Sequence, residues 1–245
     1  DMYSRLLVAR TLLRPDGVIF ISMDDHEIHH LRKVCDEVFG EENFLVNIIW
    51  EKRQTRSNNS KLFGTNTEHI VCYRRSQEII DIKEPRTDSA NALYSNPDND
   101  PRGLWTSILY TNPALREERP NLCYTITNPF TGEEIEHPTN AWKYEYNTYL
   151  QHVSENRLWW GQDGRNKYPR LKKFLSDMEG GMVPTNIWKS EDAGTTDKAT
   201  TELESLIGRG IFPFPKPAQL VQKAISYIIN KEEDKDCIVL DFFAG

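Results

Sequence analysis

The residues best able to do chemistry fall in a few short runs. At the far end of the chain, Ile238-Val239-Leu240 leads into Asp241-Phe242-Phe243-Ala244-Gly245. An apolar run that stops at an acid, two aromatics and a glycine reads as a buried central strand, with Cys237 at its start, entering a tight turn. A carboxylate and a glycine at such a point suit a ligand held at the carboxyl edge of an α/β sheet. Many buried strands end the same way, so the run needs support from the rest of the chain.

A second run, His26-Glu27-Ile28-His29-His30, fits H-E-x-x-H, in which two histidines one helical turn apart hold zinc and the glutamate acts as a base. A plainer reading competes and is preferred. Asp24 as N-cap and Glu27 as third helical residue make a capping box, which gives Glu27 a structural task. No third ligand stands at a recognised spacing, so no metal site is assigned. Asp24-Asp25 could also be an acidic pair in a cleft, but capping accounts for Asp24 without it.

The third resource is positive charge. Lys52-Arg53-Gln54-Thr55-Arg56 is one patch, and Arg157 to Lys173, with Arg165, Lys167, Arg170, Lys172 and Lys173, is another. A solvated face explains most such patches. Here the second is interleaved with Trp159, Trp160 and Tyr168, a pattern that also suits nucleic-acid phosphates. Net charge is −7, which by itself argues against nucleic acid, yet a DNA enzyme needs only one basic face.

Elements must place these residues. Residues 2–14 read as a helix with Tyr3, Leu6, Leu7 and Leu13 on one face, stopped by Pro15-Asp16-Gly17. Val18 to Ile21 is a short buried strand. A helix follows with Ile28, Leu31, Cys35 and Val38 as its stripe and Gly40 as its end. Leu45 to Trp50 and His69 to Tyr73 are further strands, joined by a long polar, basic loop. From about Ile82 apolar periodicity weakens, and Tyr124 to Thr127 with Asn128-Pro129-Phe130-Thr131-Gly132 reads as a hairpin or a strand with a type I turn. Trp142, Trp159, Trp160 and Trp188 are read as core anchors of a loop-rich region rather than base-stacking platforms. Near the end, Pro217 is placed as a first helical residue ahead of the stripe Leu220, Val221, Ala224, Ile225 and Ile228.

The resulting organisation is residues 1–81 as α/β core, 82–205 as a second domain or insertion, and 206–245 as returning α/β core. The 245 residues are 27% charged and 38% apolar, ordinary values for a globular protein. No apolar run approaches the ~20 residues of a membrane span. Four distant cysteines without C-x-x-C speak against a zinc ribbon or redox motif and for reduced thiols in a cytoplasm. The start, Asp1-Met2-Tyr3-Ser4-Arg5, opens inside a helix and reads as internal to a longer protein.

The order of these elements resembles the modification (Mod) subunit of type III restriction–modification systems, a group of β-class adenine-N6 DNA methyltransferases. Leu12-Leu13-Arg14-Pro15-Asp16-Gly17-Val18-Ile19-Phe20-Ile21-Ser22 with Asp24-Asp25-His26-Glu27 is similar to the segment after that family's catalytic motif. Glu68-His69-Ile70-Val71-Cys72-Tyr73 resembles a later core strand. Asn128 to Gly132, Trp142, Pro169 with Lys172 and Leu175, and Gly194-Thr195-Thr196 with Ala199, Glu202 and Leu203 resemble the intervening region. Phe214-Pro215-Lys216-Pro217 with Leu220 resembles the motif beside the cofactor, and Asp241, Phe243 and Gly245 match the opening of Asp-x-Phe-x-Gly-x-Gly. Asn128-Pro129-Phe130 is also faintly like the Asn-Pro-Pro-Phe form of the catalytic motif, but it lacks a proline and runs into Thr-Gly, so it is read as a turn.

The resemblance implies a Rossmann-like S-adenosylmethionine-dependent methyltransferase core with a large irregular α+β insertion that serves target recognition. It implies S-adenosylmethionine as donor and an adenine flipped from double-stranded DNA as acceptor. Partners would be a second Mod subunit and a restriction (helicase–nuclease) subunit. Asp241, Phe242, Phe243, Ala244 and Gly245 would line the cofactor, with Lys216 and Pro217 beside it. Arg53, Arg56, Arg165, Lys167, Arg170 and Lys172 are expected on DNA phosphates. The family's Asp-Pro-Pro-Tyr does not occur in the sequence and is expected upstream of Asp1, so no residue takes the catalytic role. The second glycine of the cofactor motif is expected after Gly245. The chain by itself is therefore expected neither to methylate DNA nor to bind S-adenosylmethionine tightly. Alternatives are a solitary adenine or cytosine-N4 methyltransferase of the same order, a zinc hydrolase built on His26 and His30, and a non-catalytic DNA-binding module.

Overall fold

The computed structural model describes residues 2–55, 61–79, 81–178, 180–229 and 236–242. In chain order its helices and strands are α1 (Met2–Leu12), β1 (Val18–Met23), α2 (Ile28–Phe39), β2 (Phe44–Glu51), β3 (Thr67–Arg74), α3 (Asp88–Asn91), β4 (Trp105–Leu109), β5 (Thr111–Leu115), β6 (Ile126–Thr127), β7 (Glu134–Ile135), β8 (Asn140–Trp142), α4 (Tyr146–Ser154), β9 (Leu158–Trp159), β10 (Arg170–Phe174), β11 (Ile187–Trp188), α5 (Ser190–Ala193), α6 (Thr196–Ile207) and α7 (Ala218–Ser226). The chain divides into two compact units, Asp1–Glu84 with Met182–Gly245, and Pro85–Gly181. The segment from Met182 to residue 205, expected in the insertion, belongs to the first unit instead. Trp188 carries it there, with its indole buried among Ile48, Trp50 and Ile70.

The first unit is a sheet in the order β1-β3-β2-β11. β3 runs antiparallel to both β1 and β2, and β11 is parallel to β2 through Ile187↔Ile49 and Trp188↔Trp50. Because β-strand side chains alternate, the two faces hold separate cores. Val71 and Tyr73 join Ile21, Leu6 of α1 and Leu31, Cys35, Val38 and Phe39 of α2. Ile70 joins Ile48, Trp50, Trp188, Ala193 of α5, and Leu220 and Tyr227 around α7. Helical cover on both faces makes this a mixed α/β unit.

α1 presents Leu6 and Ala9 to the core while Tyr3 and Leu7 stay 38% and 39% exposed, so its inner face is rotated from the expected one. α2 buries Leu31, Cys35 and Val38 with Ile28 packed beside them, as its period requires, and Gly40 caps it at φ 91°. α7 uses Leu220, Ala224, Tyr227 and Ile228, leaves Val221 50% exposed, and has Pro217 as N-cap rather than first helical residue.

The stretch expected to be the central strand takes another form. Ile238, Val239 and Leu240 are 94%, 56% and 60% exposed, and among the described residues no strand pairs with them. The sheet face that carries Ile48, Trp50 and Ile70 packs instead against Trp188, Ala193 of α5, and Leu220 and Tyr227 around α7.

The second unit is an irregular α+β body of small antiparallel pieces, β4-β10-β9, β5-β8 and β6-β7, with α4. Its core is aromatic: Tyr110, Trp142, Tyr149 and Trp160 pack with Ile126, Ile135, Leu158 and Leu171. Trp142, Trp160 and Trp188 are thus anchors, each 1% exposed. Among the described residues no helix is long and apolar enough to cross a membrane.

Candidate functional site

β1 and β2 both run antiparallel to β3, and β11 is parallel to β2, so three carboxyl ends meet at one edge of the sheet. That is where α/β sheets place ligands. A cleft of about 740 Å³ opens there, lined by Ser22, Asp24, Lys52, Arg53, Glu68 and Lys216 among others. Each lining residue has a topological reason to be present. Ser22 and Lys52 sit where β1 and β2 stop, Glu68 sits at the start of β3 on the face it shares with Ile70, and Lys216 precedes α7.

Glu68 is the centre of this cluster. Its side chain is 11% exposed and accepts a 2.7 Å hydrogen bond from Ser22 Oγ at Oε1. Lys216 Nζ donates to the same oxygen, and Lys52 Nζ lies 3.7 Å from Oε2. Burial alone would raise the carboxyl pKa, but bonds from Lys216 and Ser22 and the charges of Lys216 and Lys52 outweigh it and hold Glu68 below its ordinary value. A carboxylate kept ionised in this way is a poor base at neutral pH. The cleft therefore offers cations, carboxylates and hydroxyls for binding, rather than a poised proton acceptor.

Lys216 is fixed from several directions. Its Nζ stands 5.3 Å from the centre of the Trp50 ring, and Trp50 Nε1 donates to the Gly194 carbonyl at 2.9 Å. Pro215 and Pro217 on either side are buried, and Phe214 ahead of them takes φ 58°, an unusual value for a bulky residue. Gly194, at φ 74°, lets the chain pass close to Pro217: a Cβ there would lie 2.8 Å from the proline Cβ. Beside the end of β2, Ser190 anchors α5, its N–H and hydroxyl both donating to Glu51 Oε2 at 3.0 and 2.6 Å.

The expected site residues meet different fates. Lys216 lines the cleft, with Pro217 next to it, and Arg53 is an exposed cleft residue. Asp241 and Phe242 are not among the cleft's lining residues, and Phe243, Ala244, Gly245 and Arg56 lie outside the described residues. Arg165 and Lys167 are exposed. Arg170 is half-buried and donates through Nε to Ser107 Oγ at 2.7 Å and through a terminal nitrogen to the Ser107 carbonyl at 2.8 Å. Lys172 is a correction: it is 1% exposed and paired with Asp98 and Asp100, so it cannot reach a DNA phosphate without breaking a buried ion pair.

The zinc geometry is also absent. α2 begins at Ile28 with Glu27 as N-cap, so His26 precedes the helix and does not share a face with His30. The capping box is only half formed. The Asp24 carboxylate faces the backbone N–H groups of His26, at 3.1 Å, and of Glu27, while the Glu27 carboxylate turns to the His30 ring at 3.0 Å instead of back to Asp24. Asp25 has its own partner, His69 Nε2 at 2.7 Å, and His69 Nδ1 is 3.0 Å from Asn47 Nδ2. Among the described residues no His, Cys, Asp or Glu group is arranged to hold a metal. The thiols are unpaired, and burial pushes that of Cys35 up to about 12.

Comparison with known sequences adds the relationship. The profile of the DNA methylase family of N6 and N4 methyltransferases matches residues 1–245. The chain is 32% identical over 247 residues to the Mod subunit of the type III restriction–modification enzyme StyLTI of Salmonella typhimurium, covering all of this chain and 36% of that protein. It is 30% identical over 270 residues to the EcoPI Mod subunit of Escherichia phage P1, covering all of this chain and 40% of that protein. It is 28% identical over 254 residues to the type II methyltransferase M.KpnI of Klebsiella pneumoniae, covering 98% of this chain and 59% of that protein. The chain thus spans 36–40% of the two Mod subunits and 59% of M.KpnI, less than two thirds of each.

Proposed function

The chain belongs to the N6/N4 DNA methylase family, and from that premise we propose that it serves in the modification subunit of a type III restriction–modification system, which methylates adenine N6 in double-stranded DNA. The observation that carries this is the unbroken family match from 1 to 245, which takes in both the cleft-forming elements and the inserted unit. Identity to two Mod subunits over the whole chain supports the type III assignment. On the same basis we propose a Mod homodimer that pairs with a restriction (helicase–nuclease) subunit.

S-adenosylmethionine, when bound, supplies an electrophilic methyl group. The cleft's volume lies within the ~300–1,000 Å³ range of small-ligand sites. Its donors and acceptors suit a ligand carrying both carboxylate and ammonium groups with ribose hydroxyls: Lys216 and Lys52 for the first, Glu68 and Asp24 for the others. Lys216 is pre-aligned by Trp50 and the buried prolines, so little side-chain freedom is lost on binding. Asp241, Phe242, Phe243, Ala244 and Gly245 are proposed to complete this cofactor site, with Arg53, Arg165 and Lys167 on DNA phosphates.

The test uses the longer protein that contains this chain. Labelled methyl groups should pass from S-adenosylmethionine to duplex DNA and appear as N6-methyladenine, and Lys216→Ala should raise KM for the donor. No transfer to any duplex would overturn the proposal. A second reading, a solitary methyltransferase acting on adenine or cytosine N4, draws on the M.KpnI match. N4-methylcytosine as product, or full activity with no restriction subunit co-purifying, would favour it.

A further inference from the structure

The second unit carries a built projection of its own. The turn between β6 and β7 is closed by one buried amide, Asn128, which is 2% exposed. Its Oδ1 accepts from Phe130 N at 2.8 Å, and its backbone carbonyl accepts from Gly132 N at 2.9 Å. Its Nδ2 donates outward, to the Gly164 carbonyl at 2.8 Å, and so ties the turn to the loop after Trp160. That loop is folded on itself: Asn166 N donates to the Trp160 carbonyl at 2.8 Å, and Arg165 N donates to Asp163 Oδ1 at 3.1 Å. Gly164 has φ 74°, and a Cβ on it would lie 2.7 Å from Phe130 Cγ. The ring of Phe130 therefore rests on the loop backbone through one edge while the residue stays 70% exposed.

The same loop carries exposed polar side chains on either side of Gly164. Gln162, Arg165 and Asn166 are exposed, and the Asn166 amide lies over Gly161, where a Cβ would come within 2.6 Å of its Oδ1. Lys167 is exposed with its ammonium 5.4 Å from the Tyr168 ring centre. An exposed aromatic held on a hydrogen-bonded base is cheap to order in a complex. Its neighbours are the types that read base edges, arginine for guanine and Asn or Gln for adenine, with cations for phosphates.

We propose that the 128–132 turn and the 161–167 loop form one finger that enters a groove of duplex DNA. Arg165 and Lys167 contact backbone phosphates, Gln162 and Asn166 face base edges, and Phe130 packs against the groove wall. The proposal rests on the DNA methylase reading and assigns to this finger a share of target choice. Glu133 and Glu134 on the return limb of the hairpin would repel phosphates, and so would the exposed Asp163 of the loop, which turns one oxygen to Arg165 N; the contact is therefore confined to the Arg165 and Lys167 end of the loop.

The test is equilibrium binding of the longer protein and its variants to a mixed-sequence duplex across a salt series. Arg165→Ala should weaken binding by about 3- to 10-fold and flatten the log K against log salt slope by about 0.9, the share of one phosphate contact. Phe130→Ala should weaken binding with the slope unchanged. Unchanged near-ultraviolet circular dichroism and melting temperature keep folding out of the comparison, and Phe130→Leu should restore most of the affinity. If the wild type binds no duplex at low salt, the functional reading itself fails. If the wild type binds and both variants match it, the finger alone is overturned, and the same holds if they lose only the binding of a protein partner.

Discussion

Lys172 Nζ lies 2.9 Å from Asp100 Oδ2, and both side chains are 1% exposed. Asp100 also binds Arg102 through 2.9 and 2.7 Å contacts, so one buried carboxylate neutralises cations from two directions. Lys172→Ala should destabilise the second unit by roughly 2–4 kcal/mol, because it removes a buried side chain and leaves Asp100 with Arg102 alone and Asp98 without its cation. Arg165→Ala, on the exposed loop, should stay within about 0.5 kcal/mol of wild type. Denaturant unfolding of the two variants checks this, and equal stabilities would sink the structural reading of Lys172.

The same pair sets a pH dependence. Hydrogen bonds from Arg102, opposed by burial and reinforced by Lys172, hold the Asp100 carboxyl well below the usual carboxylate range. A folded value below the unfolded value of about 3.9 means stability that is fully present above that pH and lost as pH falls through the folded value. The penalty of Asp100→Asn should therefore be level from about pH 5 upward and shrink only in strong acid. A penalty that changed between about pH 6 and 8 would place the coupling elsewhere.

Gly194→Ala probes the wall behind Lys216. The position combines φ 74° with a site 2.8 Å from Pro217 Cβ, so a methyl group there is strained by backbone and neighbour alike. A cost of about 1–3 kcal/mol is expected. Affinity for S-adenosylmethionine in the longer protein should fall with it, since Pro217 moves and Lys216 is joined to it. Loss of stability with unchanged cofactor affinity would detach Gly194 from the cleft.

Much of the first unit is legible in the sequence. The α2 stripe can be read because one helical face must be buried every 3.6 residues, and Ile28, Leu31, Cys35 and Val38 keep that period. The neighbour order is not legible, since β3 reads as a continuous apolar run that says nothing of direction or partner. Glu68 is quoted in the resemblance yet given no role there. The only local signal is an acid one residue ahead of His69 and that run, and its partners Lys216 and Ser22 lie 148 and 46 residues away. Lys172 misleads for the same reason, because Asp98 and Asp100 are 74 and 72 residues distant and make a surface-looking lysine into a core one. The H-E-x-x-H pattern fails because a local Asp24 turn delays the helix until Ile28.

That delayed helix start makes a prediction about metal. Zinc added to the protein and then dialysed should not remain at stoichiometric level, and His30→Ala should leave both the residual metal and the melting temperature unchanged. His30 is 67% exposed; its ion pair with Glu27 is solvated, the kind worth at most a few tenths of a kcal/mol, and its ring meets that of the neighbouring His29 edge-on. Stoichiometric zinc that disappears with His30 would reverse the assignment.

Glu68→Gln separates binding from proton transfer in the cleft. The substitution keeps the shape and one acceptor but removes the charge that Lys216 and Lys52 share. A loss of roughly 1.5–3 kcal/mol is expected for a bond to a charged group. Because the folded carboxyl titrates below its unfolded value of about 4.3, this loss should be constant above about pH 5 and fade as pH falls through the folded value. A residue acting as general base would instead need a pKa near the working pH, and its removal would erase an inflexion in the rate profile close to neutrality. In the longer protein, Glu68→Gln should raise KM for S-adenosylmethionine several-fold, as Lys216 loses its alignment, and leave the pH profile of kcat flat between about pH 6 and 8. An inflexion in that range that vanishes with the variant would show that Glu68 moves a proton, against the pull of the two lysines that hold it ionised.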